Sequence, residues 1–161
     1  VIDGARRLGN GLAFPAGPLR EPKSRLKDVD FIVNNGGPTE ADEILMTLTP
    51  AKFIHLNSGK EYDVDSWPMH KQVHAVAGVG NPNRFFDLLS RLDFEFDKNP
   101  LPDHHKYTKR DLYYLDHLPI LMTEKDAAKC KHFNNSKIWY LSIEAKVESQ
   151  FIDRLEEKLN D

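Results

Sequence analysis

Two adjacent histidines follow an aspartate near the middle of the chain. The segment Pro100–Tyr107 reads Pro-Leu-Pro-Asp-His-His-Lys-Tyr, and no other stretch packs as many proton-transferring and hydrogen-bonding groups into so few residues. A histidine can act as a general base near neutral pH, particularly when a carboxylate orients its ring. His104 or His105 is therefore a candidate catalytic base. Asp103 is a candidate partner, although adjacency in sequence does not place the side chains face to face.

Two alternatives remain open for this segment. A metal ion would need further ligands, and two neighbouring histidines rarely share one ion, so we predict no metal site. In a purely structural reading, Asp103 caps a turn while one histidine packs and the other is exposed.

The first 27 residues hold a second candidate site. Gly4–Arg25 is rich in glycine and proline and predicts a long loop, which in a compact domain is usually functional or disordered. Arg6, Arg7 and Arg20 could bind phosphate or carboxylate, and Glu21 could orient one of them. With Lys23, Arg25 and Lys27, these arginines form a basic cluster. The cluster faces an anionic substrate, an acidic membrane surface or only solvent.

Two shorter loops carry weaker signals. A glycine turn, Gly78–Arg84, follows the strongest predicted strand and leads into a helix, with Asn81 as a suitable N-cap. Asn81 and Arg84 could contact an anion at that helix start, although the turn lacks the third glycine and the Lys-Ser/Thr of a phosphate loop. Thr123–Asp126 also begins a helix, and Lys125 there could hold a phosphate or simply be solvated.

The elements that must position these loops alternate between strand and helix. Patterns of apolar residues predict the elements in this order: strand 1–3, a short helix 24–28, strand 29–34, extended strands within 42–70, strand 73–79, helix 83–92, a strand at 94–96, a helix from 108 to about 117, strand 119–122, a helix from 123 to about 132, strand 137–143 and helix 148–159. Within 42–70 we expect separate strands 43–48 and 51–56, as an antiparallel excursion or a linker.

This alternation predicts an α/β fold with three layers, a mostly parallel sheet covered by helices on both faces. Ligands in such folds bind beyond the carboxyl ends of the strands. We therefore expect four loops to converge at that edge: 4–25, 78–84, 102–107 and 123–126.

The totals narrow the possible functions. A chain of 161 residues with 40% apolar and 29% charged residues fits one soluble domain, and a net charge of −3 gives no case for nucleic acid. The single cysteine, Cys130, excludes an internal disulfide and is expected to be buried filler. No membrane span or signal peptide is evident. Because the chain starts at Val1 within a strand-like run, we expect it to begin inside a fold.

Five motifs in order resemble one family, the tetraacyldisaccharide 4'-kinases, which are the lipid A 4'-kinases of Gram-negative bacteria. The motifs read Val-Ile-Asp-Gly-Ala-Arg-Arg-Leu-Gly-Asn-Gly (1–11), Pro-Ala-Gly-Pro-Leu-Arg-Glu-Pro (15–22), Val-Ala-Gly-Val-Gly-Asn-Pro-Asn-Arg-Phe-Phe (76–86), Pro-Asp-His-His-Lys-Tyr (102–107) and Met-Thr-Glu-Lys-Asp-Ala-Ala-Lys-Cys (122–130). The chain is similar to the C-terminal part of that family.

The resemblance implies a P-loop kinase fold and phosphoryl transfer from ATP, with magnesium, to the 4'-hydroxyl of a tetraacyl glucosamine disaccharide 1-phosphate, giving lipid IVA. It implies a peripheral position on the cytoplasmic face of the inner membrane. The family's phosphate loop and magnesium motif are expected upstream of Val1, in a missing N-terminal half, so this chain alone is expected to be inactive. The resemblance favours His104 over His105 as the catalytic histidine, with an acidic partner from the missing half.

Two alternatives to the kinase are a nucleotide-sugar transferase that uses the glycine turn for a diphosphate, and a substrate-binding domain without chemistry of its own. The sequence shows no Gly-x-Ser-x-Gly elbow and no Gly-x-Gly-x-x-Gly fingerprint, which argues against hydrolase and dehydrogenase functions.

Overall fold

The computed structural model describes residues 1–114 and 116–160. The chain divides into two compact units, one formed by residues 1–49 and the chain from 144 onward, the other by residues 50–143. The strands are β1 (Ile2–Asp3), β2 (Ile32–Asn35), β3 (Glu43–His55), β4 (Glu61–Asp63), β5 (Gln72–Ala77), β6 (Glu95–Pro100), β7 (Ile120–Thr123) and β8 (Ile138–Val147). The α-helices are α1 (Pro82–Arg91), α2 (Glu124–Cys130) and α3 (Ser149–Asn160). The prediction of a single domain stays a prediction.

A parallel sheet forms the centre of the second unit. Strands β8, β7, β5 and β6 lie side by side in this order, and each neighbouring pair is parallel. Helix α1 connects β5 to β6 and helix α2 connects β7 to β8, so the carboxyl ends of β5, β6 and β7 all point to the same edge. The predicted mostly parallel α/β fold is confirmed.

Both faces of this sheet are buried by apolar side chains, and successive strand residues alternate between the two faces. One core contains Leu121 of β7 together with Phe86 and Leu89 of α1, all almost fully buried. The opposite core contains the next residue, Met122, together with Cys130 of α2. Burial of a large apolar side chain contributes about 1.5–3 kcal/mol. Helices therefore cover the two faces, as the three-layer prediction requires.

Strand β3 is longer than the sequence pattern suggests. It runs without a break through Thr49 and Pro50, where we expected two separate strands. Proline cannot donate to a sheet ladder, but one missing donor does not stop a strand whose other positions remain extended. The second half of β3 pairs antiparallel with β4, with Phe53 opposite Tyr62, which confirms the predicted antiparallel excursion.

The first unit is built on two short parallel strand pairings. Strand β1 pairs with β2, which in turn pairs with the start of β3. Gly4 follows β1, and a Cβ atom at this position would lie 1.2 Å from the carbonyl oxygen of Gly36, so only glycine fits. Helix α3 belongs to this unit, and its Phe151 meets Phe31 edge to face at 5.3 Å between ring centroids.

One predicted helix is much shorter than expected. Thr108 does begin a helical turn, and the Asp111 carboxylate accepts its N–H and hydroxyl protons, each at 2.7 Å. The turn is a 3₁₀ helix, Lys109–Leu112, and the backbone is extended at Tyr113. The predicted continuation to about His117 passes through residue 115, which lies outside the described residues.

Candidate functional site

Three loops meet at the carboxyl edge of the parallel strands in the second unit. They follow β5, β6 and β7, and side chains from the last loop contact both of the others. The predicted convergence is therefore observed for loops 78–84, 102–107 and 123–126. Loop 4–25 belongs to the first unit and is described separately below.

Asp103 is the centre of charged contacts at this edge. Its Oδ1 atom accepts the backbone N–H of His104 at 3.0 Å and lies 3.6 Å from Nζ of Lys125. Its Oδ2 atom lies 3.7 Å from Nε2 of His104. Burial opposes ionisation, but the His104 N–H and the nearby charges of His104 and Lys125 outweigh it and lower the pKa of Asp103. The carboxylate thus joins the loop after β6 to the start of α2.

His104 is highly exposed at this edge, with 82% of its side chain accessible. Its backbone adopts the left-handed conformation, with φ of 59°. Residues other than glycine adopt this conformation rarely, and such residues cluster at functional sites. The N–H of His104 is capped by the preceding carboxylate, which stabilises the turn. The imidazole is therefore presented to solvent by a tight, ordered turn.

His105 points to different surroundings. Its Nε2 atom lies 3.1 Å from Oδ2 of Asp111, and only 25% of its side chain is exposed. Its ring meets Tyr107 edge to face at 5.4 Å between centroids. Burial opposes ionisation of Asp111, but hydrogen bonds from Thr108 and His105 lower the pKa of Asp111. The structural alternative for the two histidines, with one packed and one exposed, describes their placement correctly.

A buried carboxylate holds the glycine turn after β5. Asp126 is fully buried, and its Oδ2 accepts the backbone N–H of Gly78 at 2.9 Å and the hydroxyl of Thr123 at 2.8 Å. Its Oδ1 atom accepts from Nζ of Lys129 at 2.8 Å, and the same ammonium donates to the Gly78 carbonyl at 3.2 Å. The pKa of Tyr107 is raised mainly by burial and secondly by the negative charge of Asp126. Both backbone polar groups of Gly78 are therefore satisfied by side chains of α2.

The remaining residues predicted for this edge are exposed. Asn81 occupies the N-cap position of α1 with Pro82 at the first helical position, as predicted, but its side chain makes no capping hydrogen bond. Arg84 lies on the first turn of α1 and is exposed, and Lys125 is 56% exposed. Their roles in ligand binding stay predictions.

In the first unit, Arg7 forms a tight ion pair. Its two terminal nitrogens contact the two carboxylate oxygens of Glu43, each at 2.7 Å, and one of them also lies 2.6 Å from Glu40. Glu43 is only 4% exposed, and it also accepts from the amide of Asn34 at 2.8 Å. The hydrogen bond from Arg7 is the main reason that the pKa of Glu43 falls to about 2. The guanidinium therefore braces β3 as well as being a candidate for substrate contact.

The other candidates of loop 4–25 reach solvent. Arg6 and Arg20 are exposed, and Glu21 forms a 3.4 Å ion pair with Arg25. The loop is ordered by its own backbone, because Phe14 donates to the Leu19 carbonyl at 2.7 Å and Leu19 donates to that of Leu12 at 3.2 Å. The predicted functions of these side chains stay predictions.

Sequence reasoning missed several charged groups that the structure buries or partly buries. Asp126 was treated only as part of a helix start, and Lys129 and Glu43 were not singled out. The signal for Asp126 was present, since Thr-x-x-Asp places the carboxylate beside the N-cap, but the distant glycine turn that it holds is invisible in the sequence. His74, also missed, is buried, stacks on Tyr114 at 3.7 Å and donates to Asp116 at 2.8 Å.

Two candidates for chemistry are set aside. Among the described residues, no group of three or more His, Cys, Asp or Glu side chains is placed to hold a metal ion. Cys130 is fully buried, and this burial raises the pKa of its thiol to about 12, as befits the buried filler that we predicted.

No helix in the described part of the chain is long and apolar enough to cross a bilayer.

These features define the class of protein. The second unit is an α/β sheet covered on both faces, and its polar and titratable loops gather at the carboxyl edge of parallel strands, where such proteins bind ligands. An exposed histidine, a paired carboxylate and a lysine at that edge are groups suited to proton transfer and to contact with an anion.

Comparison with known proteins identifies the family within this class. The model of the tetraacyldisaccharide-1-P 4'-kinase family matches residues 1–160. A tetraacyldisaccharide 4'-kinase of Legionella pneumophila (strain Lens) is 48% identical over 151 residues, which cover 94% of this chain and 46% of the relative. Its counterpart in Hahella chejuensis is 43% identical over 162 residues, which cover 100% of this chain and 48% of the relative.

The fold agrees with a solved structure. The crystal structure of "apo" form LpxK from Aquifex aeolicus in complex with ATP matches with a TM-score of 0.66 at 19% identity, covering 92% of this chain and 48% of that one. The chain belongs to the tetraacyldisaccharide 4'-kinase family, and the predicted resemblance is confirmed. It spans about half the length of the curated relatives that it matches.

Proposed function

We propose that this chain is part of an ATP-dependent lipid kinase, which phosphorylates the 4'-hydroxyl of a tetraacyl disaccharide 1-phosphate and gives lipid IVA in lipid A biosynthesis. The observation that carries the proposal is the exposed His104 beside Asp103 and Lys125, at the ligand-binding edge of the sheet. The names of the relatives and the ATP in the Aquifex structure support the reaction. Because the chain spans about half of its relatives, the activity is proposed for the full-length protein.

The roles of the side chains follow from their exposure and charge. His104 would accept the proton of the attacking hydroxyl at a ring nitrogen, because its imidazole reaches solvent. An imidazolium formed there would lie within ion-pair distance of the Asp103 carboxylate. Lys125, with its ammonium half exposed, would contact a phosphate oxygen as a mobile charge. Asn81 and Arg84 would contact the same anion from the start of α1.

Bound ATP with magnesium would supply the phosphoryl group. Phosphoryl transfer needs a phosphate cradle and metal ligands, and neither a phosphate-loop motif in the sequence nor a metal-holding cluster in the described residues provides them. Lys125 and the N-terminus of α1 fit a supporting contact to a phosphate. We therefore propose that the rest of the full-length protein binds magnesium and most of ATP, and that residues 1–161 alone are inactive.

The first unit is proposed to face the anionic substrate and the membrane. Arg6, Arg20 and Glu21 would contact the lipid precursor, as would the part of Arg7 not engaged by its ion pairs. Beside these charges, the ordered loop exposes Phe14 by 82% and Leu12 by 52%. Exposed apolar side chains within a basic segment suit the surface of an anionic inner membrane, on its cytoplasmic face.

A comparison of the two neighbouring histidines tests the proposed chemistry. In the full-length protein, we expect His104→Ala to reduce turnover by about 10²–10⁴-fold, the range of general-base catalysis. His105→Ala should have a far smaller effect. The assay measures transfer of labelled phosphate from ATP to tetraacyldisaccharide 1-phosphate. Unchanged turnover in His104→Ala would remove His104 from the mechanism.

Controls separate this proposal from its alternatives. His70 is exposed and lies outside the site, so His70→Ala should turn over as the wild type does. Residues 1–161 alone should show no transfer in the same assay. Tight binding of a nucleotide sugar to residues 1–161 by calorimetry, without kinase activity in the full-length protein, would instead favour the transferase alternative.

A further inference from the structure

The two histidines of the segment Pro102–Tyr107 have opposite surroundings. His104 is solvent-exposed on a left-handed turn, whereas His105 is three-quarters covered and paired with Asp111, itself only 22% exposed. A covered histidine held by a carboxylate is a fixed structural point. An exposed histidine on a strained turn needs such a point close by to keep its direction.

His105 is anchored on three sides. Its ring donates to Asp111 at 3.1 Å, and the same carboxylate oxygen accepts the N–H and hydroxyl of Thr108, each at 2.7 Å. Its backbone N–H donates to the Pro102 carbonyl at 3.1 Å. Its ring also packs edge to face with the ring of Tyr107, which is buried. The pair thus ties the middle of the loop to the 3₁₀ turn that follows it.

The hydrogen bond fixes the chemical form of the ring. The hydrogen bonds that lower the pKa of Asp111 keep it an ionised acceptor at neutral pH, so Nε2 of His105 must carry the proton. Glutamine places an amide N–H at about the same distance from the backbone as Nε2 of histidine, so it can replace this contact. Alanine cannot.

The anchor acts on the preceding residue through the backbone. A left-handed residue other than glycine costs about 1–2 kcal/mol, so an unrestrained loop would tend to relax away from this conformation. His104 is held from one side by the Asp103 cap at 3.0 Å. From the other side, the peptide bond to His105 links it to this anchor.

We propose that His105 is a positioning residue, whose contact with Asp111 holds His104 in its left-handed turn beside Asp103 and Lys125. This inference rests on the proposed role of His104. It assigns to the second histidine a task distinct from proton transfer, and it assigns Asp111 and Thr108 to the same support.

A double-mutant cycle on kcat in the full-length kinase tests the proposal. We expect His105→Ala to lower kcat by about tenfold with KM changed less than about threefold, because misplacement of a catalytic group affects turnover rather than binding. His105→Gln should recover most of that loss. In the His104→Ala background, His105→Ala should cause no further loss, because the group that it positions is already absent.

The outcomes are separable. The proposal would be overturned if His105→Ala kept the wild-type kcat, or if it caused the same loss in the wild-type and His104→Ala backgrounds. It would also be overturned if His105→Gln recovered no activity although the thermal midpoint of that variant matched the wild type. If turnover of His104→Ala is too low to measure, the recovery by His105→Gln decides. Full turnover in His104→Ala would instead refute the proposed function of His104, and His70→Ala controls for the loss of an unrelated histidine.

Discussion

Removal of the Asp126 carboxylate should destabilise the second unit, because this side chain holds the turn after β5. In Asp126→Ala, the buried N–H of Gly78 loses its acceptor, which costs about 1–3 kcal/mol, and the Thr123 hydroxyl loses a hydrogen bond of about 1 kcal/mol. Lys129 is a quarter exposed and its ammonium can be rehydrated, so the loss of its ion pair with Asp126 adds little to this cost. We therefore expect the free energy of unfolding to fall by about 2–4 kcal/mol.

Urea denaturation followed by tryptophan fluorescence measures this effect. Trp139 and Trp67 both lie in the apolar cluster of the second unit, so their emission reports its unfolding. With a slope of about 2 kcal/mol per molar urea, the midpoint should fall by about 1–2 M. Asp126→Asn retains an acceptor oxygen for Gly78 and should lose less.

The matched control lies on the same helical turn. Glu124 is exposed and begins α2, so Glu124→Ala removes an acid near the helix N-terminus at a cost of at most about 1 kcal/mol. Equal midpoints for Asp126→Ala and Glu124→Ala would refute the reasoning, since the buried contacts would then contribute nothing beyond general helix electrostatics.

Two further predictions concern pH and thiol chemistry. The pKa of Glu43 is about 2 in the folded protein against 4.5 when unperturbed, so its ionised form stabilises the fold above pH 4.5 and that contribution is lost as the pH falls towards 2. Between pH 4.5 and pH 2, the thermal midpoint of Glu43→Gln should therefore depend less on pH than that of the wild type. The same dependence of the midpoint on pH in both proteins would contradict this. Because burial raises the pKa of Cys130 to about 12, iodoacetamide at about pH 8 should leave the thiol of the native protein unmodified. In concentrated guanidinium, the same reagent should label the thiol fully. Rapid labelling of the native protein would contradict this, because it would show that the thiol is accessible.

The parallel sheet was predictable because its signals are local. The apolar run of β5, the proline after Asn81 and the spacing of apolar residues on α1 each depend on neighbours in sequence. The placement of ligand loops at the carboxyl edge followed from topology alone, and the structure brings Asp103 and Lys125 together there.

What sequence reasoning could not supply was long-range pairing of charge. Arg7 and Glu43 are 36 residues apart, and Gly78 and Asp126 are 48 apart, so no local pattern links them. The prediction of a break in β3 was wrong for a related reason. Thr49-Pro50 has the composition of a turn, but the ladders on both halves of the strand kept the backbone extended.

The handedness of the backbone at His104 sets fold stability against the function that we propose for this position. Glycine would occupy a φ of 59° without the steric cost that an L-residue bears there, so a sequence optimised only for folding would place glycine after Asp103. Asparagine would be the next choice, since its side chain tolerates the same region. The proposed catalytic role of the ring therefore comes at the expense of the loop's own stability. Methods that redesign the chain for stability alone would therefore replace this histidine with glycine.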